Sequence, residues 1–194
     1  MCTGKSGKAP FITQEALAAT LDAQVGAFAL RNKAALILSH YLGLRTMELA
    51  RLKVSDLWDI RTQTVVTTVR LLNTHTKGGV PRELFFVNER AREIVRTYLV
   101  DRAPKRAGEP LFASRKGGHF SPNTMQQLIA QVYAQAGIKA SSHSGRRTFA
   151  TRLIEAGADI SSLQVMLGHK YAETTAKYIE TNPLRQRAFA GLLT

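Results

Sequence analysis

A single change of hydrophobic period constrains how this sequence can fold. Over most of its length, apolar residues recur every three or four positions, the period of an amphipathic helix. Thr13 can cap a first helical stretch, with Leu17 and Leu21 one turn apart. Ala34, Ile37, Leu38 and Tyr41 form one face of a second, from about Leu30 to Leu42. Gly43 ends it, and Thr46 is placed to cap a third helix carrying Glu48, Leu49 and Leu52. Then the period drops to two. TVVTTVRLL is rich in β-branched residues, Lys77-Gly78-Gly79 reads as a tight turn, and Val80, Arg82, Leu84 and Phe86 alternate behind it. After Asn88 the helical period returns through Ala91, Ile94, Val95, Tyr98 and Leu99. Ser121-Pro122 starts a helix that buries Met125, Leu128, Ile129 and Val132 and ends near Gly137. Further helices are predicted from Ser144 to Gly157, from Asp159 to Gly168, and through Tyr178 to Asn182-Pro183. The chain reads as α+β: mostly helical, with one small antiparallel sheet inserted early.

Charge narrows the partner. Lys and Arg number 27 against 14 Asp and Glu, a formal net charge of +13 over 194 residues. Such an excess suits nucleic acid or an anionic membrane surface. A hydrophobic content of 44% argues against a disordered basic tail. No apolar run approaches the roughly 18 residues of a membrane-spanning helix, and MCTGKSGKAPF lacks the apolar stretch of a secretory signal. One cysteine and five scattered histidines form neither an intrachain disulfide nor a zinc-spaced cluster. A cytoplasmic nucleic-acid-binding domain is the expectation. Residues 1–10 are small and basic and read as a flexible lead. The stretch 184–194 is apolar along Leu184, Ala188, Phe189 and Leu192, which calls for a partner surface in cis or in trans.

Several residues suit work on a phosphate. In HSGRRTFATRLIEAG, His143 and Arg146 are three apart and share a face if the helix has begun there. A guanidinium fork matches two phosphate oxygens, and an imidazole beside it can donate a bond or move a proton. Taken alone, Arg146 and Arg147 read more readily as solvated surface residues than as catalytic ones, and RTFATRLIEAGADISSLQVMLG reads at least as well as a helix-turn-helix. Arg45 and Glu48 can form an ordinary i, i+3 ion pair. Lys77 alone is a turn lysine, His169 a helix-end histidine and Tyr178 a boundary tyrosine.

Their order is what distinguishes them. GLRTMEL, TKGGVPRELFF and HSGRRTFATRLIEAGADISSLQVMLGHKYAETTAKYIE together resemble the tyrosine recombinase (phage integrase) family, from about Ile12 to Tyr178. The resemblance implies a mostly helical catalytic domain, residues 11–183, with a small three-stranded antiparallel sheet. It implies metal-free DNA strand cleavage and rejoining without a nucleotide cofactor. Tyr178 would attack the scissile phosphate, giving a 3′-phosphotyrosine and a free 5′-hydroxyl, with His143 as general base. Arg45 and Arg146 would hold the non-bridging oxygens, Lys77 would protonate the leaving oxygen, His169 would bond the phosphate and Glu48 would orient Arg45. Tyr171 is the nearby rival nucleophile.

The implied partner is double-stranded DNA, bound by a homotetramer that exchanges the tail 184–194, with an accessory DNA-bending protein. The setting would be cytoplasmic and nucleoid-associated, for a bacterial or phage-encoded protein. Two departures stand out. Gly145 and Arg147 replace the leucine and histidine that flank the second arginine in the family, and Gly145 should weaken the start of its helix. The core-binding domain found in most members has no counterpart within these residues, so the chain is similar to the short recombinases that invert fimbrial promoter segments. Two other functions remain in view: type IB topoisomerase-like relaxation, and a non-enzymatic DNA-binding regulator of the same fold.

Overall fold

The computed structural model describes residues 8–72, 81–176 and 178. Three helices come first: α1 (Gln14–Asp22), α2 (Ala29–Tyr41) and α3 (Thr46–Arg51). A 3₁₀ turn (Val54–Asp56) leads to strands β1 (Trp58–Asp59), β2 (Thr64–Val65), β3 (Thr68–Leu71) and β4 (Arg82–Phe85). Helices α4 (Glu89–Arg102), α5 (Pro122–Gln135), α6 (Ser144–Glu155), α7 (Ile160–Leu167) and α8 (Ala172–Ala176) follow.

A side-chain cap sets the start of four of the eight α-helices among the described residues. Thr13, Asn88, Ser121 and Asp159 each accept a bond from a backbone N–H three residues on, satisfying a donor that the helix leaves free. The third helix differs from the expectation. Thr46 is its first helical residue and Arg45 is the N-cap, whose backbone N–H donates to Glu48 Oε2 at 2.8 Å. Glu48 therefore caps this helix from within by accepting the N–H of the N-cap residue, and no threonine hydroxyl caps it.

The sheet also differs. One three-stranded sheet was expected; among the described residues there are two separate antiparallel pairs, β1 with β2 and β3 with β4. The β-branched run is divided at Val66-Thr67. Upstream of that point Val65 pairs with Trp58; downstream Val69 pairs with Leu84, and Phe86 N–H donates to Thr67 O. The alternation after the turn holds, since Arg82, Leu84 and Phe86 are buried while Glu83 and Phe85 are not. The Gly78-Gly79 turn and Lys77 lie outside the described residues.

Helix α2 organises the interior. Its sequence predicts one apolar face, yet Ala35, Leu36, Ser39 and His40 are buried together with Ala34, Ile37 and Leu38. The helix is enclosed because α4, α5 and α6 all pack on it. A second, smaller cluster joins Phe149, Ala150 and Ile154 of α6 to Leu163 and Leu167 of α7, with Tyr178 against it. Among the described residues no helix is long and apolar enough to cross a membrane.

Gly145 has a packing role that helix propensity does not show. A Cβ at this position would run into Ser39 Oγ and lie 3.0 Å from His40 Cδ2, so the missing side chain lets α6 close onto α2. Gly145→Ala should therefore destabilise the protein by about 1–3 kcal/mol, because overpacking outweighs alanine's better helix propensity. Urea denaturation reads this as a lower midpoint; a raised midpoint would mean that Ser39 and His40 yield easily.

Candidate active site

The site is assembled around one buried carboxylate. Glu48 is fully buried on α3, where Oε1 accepts from Arg45 Nη1 at 3.0 Å and Oε2 from Arg82 Nη2 at 2.8 Å. Burial alone would raise its pKa, but the Arg82 bond and charge, the Arg45 N–H and the charge of Arg146 together hold it below the usual carboxylate value. It stays ionised and fixes Arg45, whose Nη2 also donates to Gly168 O at 3.4 Å.

Arg146 enters from α6 and is held by backbone. Nη1 donates to Gly43 O and Nη2 to Leu167 O, both at 2.6 Å. Each carbonyl is freed at a helix end closed by a left-handed glycine, Gly43 (φ +60°) after α2 and Gly168 (φ +60°) after α7. Burial, then the charge of Arg45, lowers the guanidinium pKa to about 10, so Arg146 remains cationic at neutral pH.

Gly168 also turns the chain so that His169 faces Arg146. Arg146 Nη2 stands 3.0 Å from His169 Nε2, and an arginine has only donors, so Nε2 is the acceptor. The proton therefore resides on Nδ1, which donates to Thr175 Oγ1 at 2.8 Å. Burial, then the charges of Arg146, Arg45 and Arg82, keeps the His169 pKa down at about 4. The Tyr178 ring stacks on this imidazole, with centroids 6.0 Å apart and planes 5° from parallel.

A cleft of about 360 Å³ unites the set: Arg45, His143, Arg146, Arg147, His169, Thr174 and Tyr178 line it, with Lys8 and Ala9 at one side. His143 is the N-cap residue of α6, and its pKa is lowered by the protein around the ring and by Arg146 and Arg45. Glu48 stands behind Arg45, and Lys77 and the tail 184–194 lie outside the described residues. Tyr171 does not line the cleft; it is 63% exposed, with the Lys170 ammonium 5.5 Å from its ring. A cleft walled by this many cations suits a phosphodiester. Among the described residues no group of three or more His, Cys, Asp or Glu is arranged to hold a metal ion.

Arg82, which supports the site from behind the cleft, was not assigned from sequence. Arg82 is buried against Glu48, and the available signal was a charged side chain on the inward side of an alternating strand.

The histidines give the fold an acid limit. His40 is buried, bonded through Nε2 to Tyr133 OH at 2.7 Å, and its pKa is held at about 3 by burial and then by Arg152. Above pH 6.5, the ordinary histidine value, folded and unfolded chains carry the same histidine charge. Below it the unfolded chain takes up protons that the folded one refuses, so stability falls as pH drops. His40 alone contributes a slope of up to about 1.4 kcal/mol per pH unit between roughly pH 6 and 4. His143 and His169 act in the same direction, and Glu48 joins them at lower pH as its carboxylate protonates in the unfolded chain. Urea melts at pH 7, 6 and 5 should show the loss, with a shallower slope in His40→Gln.

The model of the phage integrase family matches residues 11–185. The tyrosine recombinase XerC of Pelobacter propionicus is 32% identical over 153 residues, covering 78% of this chain and 48% of that protein. XerC of Syntrophus aciditrophicus is 30% identical over 161 residues, covering 78% and 49%. The chain thus spans about half the length of the curated relatives it matches. In three dimensions it is similar to the XerA recombinase, with a TM-score of 0.74 at 24% identity over 99% of this chain and 66% of that one. It is also similar to the XerH site-specific recombinase in a post-cleavage complex with palindromic difH substrate, with a TM-score of 0.72 at 21% identity over 97% and 54%. At such identities the likeness establishes the fold, whereas the family model covers nearly the whole sequence. By that match, this chain belongs to the phage integrase family of tyrosine recombinases.

Proposed function

We propose that this chain is the catalytic domain of a site-specific DNA recombinase, which cleaves and rejoins strands through a 3′-phosphotyrosine. The observation that carries the reading is the meeting of Arg45, His143, Arg146, His169 and Tyr178 in one cationic cleft. These residues come from four separate parts of the chain, so one shared surface helix does not account for their meeting.

In the first step the Tyr178 phenolic oxygen attacks phosphorus and the bond from phosphorus to the 5′-oxygen breaks. The phenol's proton passes to His143, whose lowered pKa leaves it neutral and able to accept. Lys77 supplies the proton that the departing 5′-oxygen needs. Arg45 and Arg146 stabilise the charge that gathers on the non-bridging oxygens. In the free protein His169 Nε2 accepts from Arg146 and its ring proton sits on Nδ1, so donating to a phosphate oxygen requires Nε2 both to give up that contact and to carry a proton when DNA enters. Rejoining runs the steps in reverse, and no nucleotide cofactor is required because the phosphotyrosine keeps the bond energy.

Double-stranded DNA is the proposed partner, in line with the net charge of +13 and with the difH complex of XerH. A homotetramer joined by the tail 184–194, an accessory DNA-bending protein and a cytoplasmic, nucleoid-associated setting complete the reading. The test is a nicked duplex from the DNA flanking the chain's own gene, incubated with protein in EDTA and run on a denaturing protein gel. A shifted covalent band supports the reading. Salt-sensitive binding to the same duplex with no band would favour the non-enzymatic regulator.

A further inference from the structure

Arg82 does not line the cleft, yet its contacts join three parts of the site. Its side chain is 1% exposed and meets a Glu48 side chain that is 0% exposed. Nη2 donates to Glu48 Oε2 at 2.8 Å, and Nε donates to the Met166 carbonyl at 2.9 Å. The guanidinium also packs on Gly168, where a Cβ would stand only 2.8 Å from Nη1 and 3.2 Å from Cζ. Glu48 holds Arg45 with its other oxygen, and Gly168 places His169 as the next residue. An apolar side chain could fill this inward position of β4 with less desolvation, so packing alone does not account for an arginine there.

We infer that Arg82 is a positioning residue for strand cleavage, tying Glu48 to the α7–Gly168 turn and so setting the spacing between Arg45 and His169. The inference rests on the proposed recombinase reading of the cleft. It also needs arginine in particular: a planar fork reaches a carboxylate and a carbonyl at once, whereas one ammonium on a flexible stem does not hold both in fixed geometry.

The test compares wild type, Arg82→Lys and Arg82→Gln on two nicked duplexes. One has an ordinary scissile phosphate; the other has a methylphosphonate, which lacks the charge that Arg45 would neutralise. On the phosphate, Arg82→Gln should cleave about 10²-fold more slowly with DNA affinity unchanged, and Arg82→Lys should lose less. On the methylphosphonate both variants should approach the wild-type rate, because a displaced Arg45 matters less there. Wild-type cleavage of the phosphate by the variants, or an equal deficit on both duplexes, would overturn the inference.

Failure of the recombinase reading would show differently, as no adduct from wild type on either duplex. A measurement without DNA then decides on Arg82. The His169 Nδ1 proton, held by Thr175, should give a proton NMR signal in wild type that broadens in Arg82→Lys while the amide spectrum stays folded. An unchanged signal would refute the positioning role.

Discussion

Tyr178→Phe should eliminate the covalent protein–DNA band while leaving DNA binding intact. The substitution removes only the phenolic oxygen. The ring that stacks on His169 stays, so the cleft keeps its shape and its cations. Loss should therefore be complete to background, because the atom that forms the new bond is gone and Arg45 and Arg146 have no attacking oxygen to assist. Tyr171→Phe is the informative control. Tyr171 is exposed on the segment leading into α8 and lies outside the set of residues lining the cleft, so its variant should cleave at the wild-type rate. If instead Tyr171→Phe abolished the band and Tyr178→Phe did not, the nucleophile would have to be reassigned, together with the roles given to its neighbours.

What the sequence revealed, and what it hid, follows the range of each interaction. Helix starts at Thr13, Asn88, Ser121 and Asp159 were legible because a cap bonds only three residues away. The burial of Arg82, Leu84 and Phe86 was legible from period two alone. Enclosure of α2 was not, since it depends on three helices that arrive later in the chain. The division of the sheet was hidden for a related reason. A β-branched run shows where strands form but does not say which neighbour each half will meet.

In the site, the family's residue order brought Arg45, His143, Arg146, His169 and Tyr178 together on paper, and the fold places all five in one cleft. Of the supports beneath them, Glu48 was legible and the backbone ones were not. The carbonyls of Gly43 and Leu167 that hold Arg146 belong to backbone, which carries no sequence signature, and they lie 103 and 21 residues away from it. The packing role of Gly145 was not legible because propensity is a local quantity, while this contact is made across a helix–helix interface with Ser39 and His40.

Arg146→Met should separate the chemistry from the fold. On rate, loss of one preorganised donor at the scissile phosphate costs on the order of 10²–10³-fold, read as the initial rate of adduct formation. On stability, two effects oppose. The Gly43 and Leu167 carbonyls lose their donor, at about 1–3 kcal/mol for each one left buried and unpaired. Against that, the fold no longer holds a cation in a place that lowers its pKa from 12.5 to about 10, a relief on the order of 3 kcal/mol. The terms oppose, so the urea midpoint should fall less than the loss of two buried bonds alone would predict, while cleavage collapses. His169 supplies an independent reading. With the neighbouring cation gone and burial unchanged, its pKa should rise from about 4 but remain below 6.5, as followed by imidazole proton NMR. A large fall in stability alongside an unshifted His169 would mean that Arg146 serves mainly as a strut between α2 and α7. Collapse of cleavage with a stable fold and a raised His169 pKa would mark it as a cation that the structure carries for the phosphate.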